Sequence, residues 1–201
     1  MCNKIYLRLY TSCDILIYGA QGERLYGEKT MENKYTLSVL FVNYEDFWSK
    51  VVYYILGRGY SHASIGVDNE EEIYWSFNFK GFRREKPRKH EAIVSKSICY
   101  KLSVTKEEYD KVVEMIEEFQ SRRFEWKYNL MGLLLSKIHI KRQKKNHYFC
   151  SEFVAEMLQR ANVAEFKKNS AHYLPNRLEQ ELQKLRNLEQ VILNPIQRGY
   201  C

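Results

Sequence analysis

The sequence predicts a domain of the α+β class, built from short strands and amphipathic helices. Two observations carry this prediction: a strand hairpin at residues 61–79, and helices farther along the chain whose apolar residues recur at helical spacing. The chain has 201 residues, of which 45% are hydrophobic and 14% aromatic. That length and composition are typical of one folded domain with a single core.

The first 34 residues are predicted to be an extension outside that domain. Short strand patterns at residues 5–10 and 14–18 are followed by a linker, residues 19–34, that is rich in glycine and charge. No chemistry-bearing motif occurs in this stretch. We therefore expect residues 1–34 to contribute nothing to a site, and residues 35–201 to form the domain.

Strand and helix patterns alternate in the first half of the domain. Residues 35–42 have the pattern of a buried strand, and an apolar helical face follows at residues 47–55. Residues 61–68 and 73–79 alternate in polarity and are separated by an acidic turn, which predicts a hairpin. The run after it, residues 83–89, is basic and contains a proline, so we expect a solvated loop there.

Helices dominate the second half. A strand is predicted at residues 98–104, and Thr105 with Glu108 forms a capping box that begins the next helix. A short apolar helix is predicted at residues 128–138, and its composition predicts that it belongs to the core. Another helix begins at Cys150, and a C-terminal helix is predicted from Leu178 to Ile192.

Charge and cysteine usage narrow the function classes. The net charge of +7 is concentrated at residues 83–89 and 137–145, and no nucleic-acid motif accompanies it, so we expect no nucleic-acid partner. The longest apolar run, residues 130–135, is too short to span a membrane. No secretion signal is recognisable, which predicts a cytoplasmic protein. The five cysteines lack paired spacing, so we expect neither disulfides, nor a metal, nor another cofactor.

Cys150 is the candidate nucleophile. It lies at the start of a helix, where unpaired backbone N–H groups and the helix dipole favour a thiolate over a thiol. Its candidate base is His62, because this histidine lies on a strand and is flanked by small residues that let another element approach. Taken singly, each residue is more often structural than catalytic, as a small buried hydrophobe or a satisfied core histidine.

Together the motifs resemble those of a known family. The stretches Tyr60-Ser61-His62-Ala63-Ser64-Ile65-Gly66-Val67-Asp68, Trp75-Ser76-Phe77 and Tyr148-Phe149-Cys150-Ser151-Glu152-Phe153-Val154 resemble the circularly permuted NlpC/P60 group of papain-like proteins, in particular its bacterial members. Residues 81–85 and 128–133 are similar as well, and the resemblance extends over residues 35–178. It implies a permuted papain-like fold, a small antiparallel sheet packed against helices, with Cys150 and His62 as the catalytic pair.

The residue that orients His62 is left open by the sequence. If the hairpin turn takes three residues, Asp68 faces Glu72, His62 faces Asn78, and Ser76 lies diagonal to His62. Ser76 and Asn78 are therefore the predicted partners of the imidazole. Glu85 is a third candidate, less favoured because a loop is predicted around it.

The resemblance implies a cysteine amidase or peptidase whose substrate is a peptidoglycan-type peptide or a related amide. Two alternatives stay open: an acyltransferase or thioesterase that uses Cys150 to carry an acyl group, and a binding module without catalysis. The expected partner is accordingly a peptide or acyl-amide substrate. The sequence leaves the oligomeric state undetermined.

Overall fold

The computed structural model describes residues 35–46, 50, 53–54, 59–67, 73–138, 140 and 144–198 of the chain. The predicted extension at residues 1–34, most of the helix predicted at 47–55, and the hairpin turn all lie outside these residues. Those predictions, and the domain boundary after residue 34, therefore stay predictions.

The described residues form strands and helices in mixed order. The strands are β1 (Tyr35–Tyr44), β2 (His62–Gly66), β3 (Tyr74–Asn78), β4 (Gly81–Glu85), β5 (Val94–Val104), β6 (Lys127–Tyr128), β7 (His147–Tyr148) and β8 (Leu188–Leu193). The helices are α1 (Lys106–Ser121), α2 (Leu130–Lys137), α3 (Cys150–Arg160), α4 (Pro175–Leu182) and α5 (Pro195–Arg198). Two 3₁₀ helices cover Pro87–Ile93 and Ser170–His172.

A six-stranded antiparallel sheet organises the domain, with the strand order β4-β3-β2-β1-β5-β8. Strands β6 and β7 form a separate parallel pair. The predicted α+β class is confirmed at this level: an antiparallel sheet combined with helices. Ile65 pairs with Trp75, which is the hairpin register predicted from a three-residue turn.

The main core lies between one face of the sheet and the helices. Ala63 and Ile65 point into it from β2, and Phe153 of α3 packs against Phe77 of β3 with ring centroids 5.3 Å apart. Because successive side chains of a strand point to opposite faces, His62 is directed away from this apolar cluster. The first strand residue of β2 is thus available for polar contacts at the edge of the core.

The capping box predicted for α1 is present. The Thr105 hydroxyl accepts a hydrogen bond from the Glu108 N–H at 3.2 Å, and the Glu108 carboxylate accepts one from the Thr105 N–H at 2.8 Å. These two bonds satisfy N–H groups that have no acceptor within the helix. The predicted start of this helix is therefore confirmed.

The basic run at residues 83–89 is not the loop that its charge predicts. Residues Gly81–Glu85 form the edge strand β4, and the 3₁₀ helix Pro87–Ile93 follows directly. An edge strand tolerates charged residues because one side of it faces solvent, and Arg83 and Arg84 are both exposed. Because these two residues are charged, hydrophobic periodicity does not predict a strand here.

The end of the chain differs from the prediction in a similar way. Helix α4 ends at Leu182, and Leu188–Leu193 form the edge strand β8, in which Ile192 pairs with Cys99 of β5. Leu178 and Leu182 do lie on the buried side of α4. The β-branched residues Val191 and Ile192 favour a strand over a continued helix.

Helix α2 is shorter than predicted, and only its inner side belongs to the core. The Asn129 side chain caps it by accepting a hydrogen bond from the Gly132 N–H at 2.9 Å. Leu133 is buried, whereas Leu130 and Met131 are 42% and 52% exposed. The prediction of a core helix is therefore wrong for the outer side. Among the described residues, no helix combines the length and apolar content needed to cross a membrane.

Replacing Gly81 by alanine should destabilise the turn between β3 and β4. Gly81 has a φ of +88°, and an added Cβ would lie 2.5 Å from the Trp126 carbonyl oxygen. Left-handed backbone alone costs an alanine about 1–2 kcal/mol. We expect Gly81→Ala to lower the free energy of unfolding by at least about 1 kcal/mol, measured by urea denaturation. Lys80→Ala in the same turn is the control, and an equal loss in both variants would contradict the argument.

Candidate functional site

Cys150 is the first residue of helix α3, as predicted, and is only 2% exposed. Phe149 precedes it in an extended conformation, and the Phe149 N–H donates to the Glu152 carboxylate at 3.3 Å. Glu152 is fully buried under the first turn. This contact holds the chain where it enters the helix and so fixes the position of the thiol relative to β2 and β3, on which α3 packs.

His62 begins β2 and pairs with Val42 of β1. Its ring lies beside the ring of Tyr44, with centroids 5.9 Å apart, and the neighbouring Cys150 side chain raises the pKa of His62. The structure thus brings together the two residues that the sequence proposes as nucleophile and base. They come from positions 88 apart in the chain.

Glu85 is the residue that holds the other side of the imidazole. His62 Nε2 lies 2.8 Å from Glu85 Oε2, and the two side chains are only 11% and 16% exposed. Because Nε2 is occupied by Glu85, Nδ1 is the ring nitrogen left for the Cys150 sulfur. The resulting order is carboxylate, imidazole, thiol.

Ser76 and Asn78 do not hold the imidazole, which corrects the prediction made for them. The Ser76 hydroxyl donates to the Ala63 carbonyl at 2.6 Å, and the Asn78 side chain accepts from the Lys80 N–H at 2.9 Å. Short polar side chains often satisfy nearby backbone groups in this way. The predicted register is right, yet the partner of His62 reaches it from the next strand, β4.

The surroundings of His62 determine its charge. Burial on its own lowers the pKa of His62, but the attraction of the Glu85 carboxylate and the hydrogen bonds to Cys150 and Glu85 outweigh it. The pKa of His62 is therefore held well above its ordinary value. An imidazolium next to a thiol stabilises the thiolate, which is the form that attacks.

Tyr128 is a neighbour of this pair that the sequence did not single out as a site residue. Burial raises the pKa of Tyr128 well above its ordinary value, and the nearby Cys150 and Glu152 charges raise it further. The phenol consequently keeps its proton and can donate a hydrogen bond. The resemblance includes the Tyr128-Asn129 stretch, but nothing in the spacing indicates a role in chemistry.

A cleft of about 630 Å³ opens at His62 and Glu85. Tyr128 and Phe79 contribute apolar surface to it, and residues of β4 and of the following 3₁₀ helix also line it. The cleft is large enough for a small ligand or a short stretch of a larger one. Among the described residues, no group of three His, Cys, Asp or Glu side chains is arranged to hold a metal ion.

No family model, curated protein or solved structure matches the chain. The arguments about its chemistry therefore start from the geometry of Cys150, His62 and Glu85.

Proposed function

We propose that the protein is a cysteine hydrolase that cleaves an amide bond, with a permuted papain-like arrangement of its catalytic groups. The observation that carries this proposal is the imidazole of His62, whose Nε2 bonds the Glu85 carboxylate and whose pKa is raised by the neighbouring Cys150 side chain. Nucleophile, base and orienting group in hydrogen-bond sequence are the geometric signature of such sites.

In the first half of the reaction, the Cys150 thiolate attacks the substrate carbonyl carbon. The C–N bond then breaks, and the His62 imidazolium gives its proton to the leaving amine, which leaves an acyl group on the sulfur. In the second half, His62 takes a proton from water as the water oxygen attacks the thioester. The C–S bond breaks, the acid leaves, and the thiolate with the imidazolium is restored.

Two donors are available for the oxyanion of the tetrahedral intermediate. The N–H of Cys150 has no acceptor within α3, because it belongs to the first helical residue. The protonated Tyr128 side chain, on the wall of the cleft at His62, is the second. Removing one such donor typically slows an enzyme about 10²- to 10³-fold.

Glu85 keeps the imidazole in the tautomer and orientation that catalysis needs. A carboxylate on Nε2 also stabilises the imidazolium that forms while Cys150 is a thiolate. The proposal places this chemistry in the cytosol, where a reactive thiol remains reduced. Cys99 and Cys150, the described cysteines, are both free.

Acyl transfer or thioester hydrolysis at the same thiol is the second candidate. The apolar wall of the cleft, with Phe77, Phe79 and Tyr128, favours a substrate that has an apolar acyl part. In both reactions the Cys150 thiolate attacks the carbonyl carbon, the bond from that carbon to the leaving amine, alcohol or thiol breaks, and His62 protonates the leaving group. The acyl group then passes from Cys150 to an amine or alcohol in acyl transfer, and to water in thioester hydrolysis. A binding module that lacks catalysis is the remaining alternative.

One experiment separates these functions. The protein is incubated with an N-acyl-dipeptide p-nitroanilide and with an acyl thioester, and the acyl adduct is located by peptide mass spectrometry. We expect an adduct on Cys150 that is released to water as the free acid. Release to an added amine instead would support acyl transfer, and no adduct with any reagent would support the binding module.

Two variants at buried cysteines test the proposed nucleophile, one at Cys150 and a matched control at Cys99. Cys150→Ala should abolish adduct formation, whereas Cys99→Ala, a substitution at a fully buried cysteine of β5, should leave it unchanged. Turnover that survives in the Cys150 variant would refute the proposed nucleophile.

A further inference from the structure

The cleft at His62 carries far more positive than negative charge. Five cationic side chains line it, Lys80, Arg83, Arg84, Lys86 and Lys89, against the two carboxylates of Asp46 and Glu85. The cations come from consecutive parts of the chain: the turn between β3 and β4, strand β4 itself, the residue that follows β4, and the 3₁₀ helix after it. Charge of one sign in a concave site raises the local concentration of ligands of the opposite sign.

Three of these cations make no ion pair within the part of the chain that the structure describes. They are Lys80, Arg83 and Lys89, and all three are exposed. Other lysines of the molecule do form ion pairs, for example Lys106 with Asp110 and Lys111 with Glu107. The Glu85 carboxylate is bonded to His62, so it does not neutralise Arg83, which projects from the same side of β4 two residues earlier.

Apolar surface adjoins the cations. Phe77, Phe79 and Tyr128 lie on the same cleft, and the rings of Phe79 and Tyr128 are in contact with centroids 4.8 Å apart. Phe79 is 49% exposed although it is a large apolar side chain. A ligand that covers it and reaches the cations has an apolar part next to an acidic group.

We propose that the cleft binds a small anionic ligand with an apolar part, whose acidic group lies among Lys80, Arg83 and Lys89. This inference rests on the proposed function in one respect: it takes the ligand to be the substrate whose carbonyl reaches Cys150. A carboxylate and a phosphate are both recognised by lysine and arginine, so the shared feature is the negative charge.

The test compares two fluorescent probes of nearly identical shape. 8-Anilinonaphthalene-1-sulfonate is anionic, and N-phenyl-1-naphthylamine has the same rings without the charge. We expect the full chain to bind the anionic probe more tightly, and Lys80→Gln, Arg83→Gln and Lys89→Gln together to weaken its binding about tenfold at low salt. Binding of the neutral probe should change less than twofold.

A variant with the same loss of charge elsewhere is the control. Lys144, Lys167 and Lys168 are exposed, and none of them lines the cleft. Replacing these three by glutamine should leave the affinity for the anionic probe within twofold. The difference between wild type and the cleft variant should also shrink as salt rises from 0.05 to 0.5 M, because screening shortens the reach of the charges from roughly 14 Å to roughly 4 Å.

Competition with octanoate and octyl phosphate shows whether the cleft prefers a carboxylate or a phosphate. The compound that displaces the anionic probe at the lower concentration carries the preferred acidic group. Equal affinity of the cleft variant and wild type for the anionic probe would overturn the inference, as would an equal loss in the control variant. The outcome does not depend on catalysis. If Cys150 forms no acyl adduct but the charge dependence is found, the proposed function fails and the anion site stands.

Discussion

Replacing His62 by glutamine should slow the alkylation of Cys150 by iodoacetamide roughly 100-fold at pH 6. In the proposed mechanism the His62 imidazolium lies beside the attacking sulfur, and this substitution removes that positive charge. An ordinary thiol, with a pKa of about 8.5, holds only about 0.3% thiolate at pH 6. The rates of wild type and variant should converge above about pH 9, where an ordinary thiol is itself ionised. Peptide mass spectrometry after timed quenching measures the rate at each cysteine separately.

His90→Gln is the matched control for this variant. His90 lines the same cleft, but it is exposed and lies on the 3₁₀ helix, with its ring 6.5 Å from that of Tyr44. We expect its replacement to change the alkylation rate less than twofold. Cys99 is an internal control, because a fully buried thiol of the sheet should remain unmodified throughout. Wild-type alkylation at pH 6 in the His62 variant would refute the pairing.

The two residues at the centre of the site could be predicted because each lies in a local pattern, and because the two patterns together resemble those of a known family. Cys150 follows Phe149 at the start of an amphipathic pattern, and helix starts have a recognisable chemistry. His62 lies in an alternating strand next to a turn, and the pairing of Ile65 with Trp75 agrees with the register read from the turn length. Each of these signals depends on a few adjacent residues.

The sequence names Glu85 as the orienting residue only as its least favoured candidate, because the position of this residue depends on three strands at once. Glu85 lies within a run of charged residues, where β4 has no alternation of polar and apolar positions. Strand β4 pairs with β3, and the Glu85 side chain at the end of β4 bonds the His62 imidazole. Neither contact can be read from residues that are adjacent in the sequence. Ser76 and Asn78 share the correct strand, but their side chains are already bonded to backbone groups.

The exposure of apolar residues at the edges of the domain could not be predicted from the sequence either. Strand β8 and the outer side of α2 have apolar residues that pattern analysis assigns to a core, yet Val191 is 44% and Met131 is 52% exposed. Periodicity shows that one side of an element is apolar. Whether that side is covered depends on neighbouring elements that are remote in sequence.

Replacing Glu85 by glutamine should lower the pKa of His62 markedly while keeping an acceptor for its Nε2–H. Burial already lowers the pKa of His62, and the Glu85 carboxylate is the largest influence that opposes it. With that charge removed, the imidazole should be largely neutral at pH 7. The rate of Cys150 alkylation should then fall, because less of His62 is present as imidazolium. The titration of the His62 ring, followed by NMR in both proteins, measures the change. An unaltered titration would contradict the role given to Glu85.

The same substitution should make the stability difference between wild type and variant depend on pH in one direction. The pKa of His62 is higher in the folded than in the unfolded protein, so protonation of His62 stabilises the fold. This contribution is fully present below the ordinary histidine value of about 6.5, and it is lost as pH rises through the raised folded pKa. At pH 6 we expect Glu85→Gln to lower the free energy of unfolding by about 1.5–3 kcal/mol, the usual worth of a hydrogen bond to a charged group.

This loss of stability should diminish as the pH is raised. The control is Glu91→Gln, at an exposed position of the adjacent 3₁₀ helix, which should change the free energy of unfolding by less than about 0.5 kcal/mol at every pH. A difference that grows with pH in urea denaturation would mean that the His62–Glu85 pair does not carry the charge assigned to it.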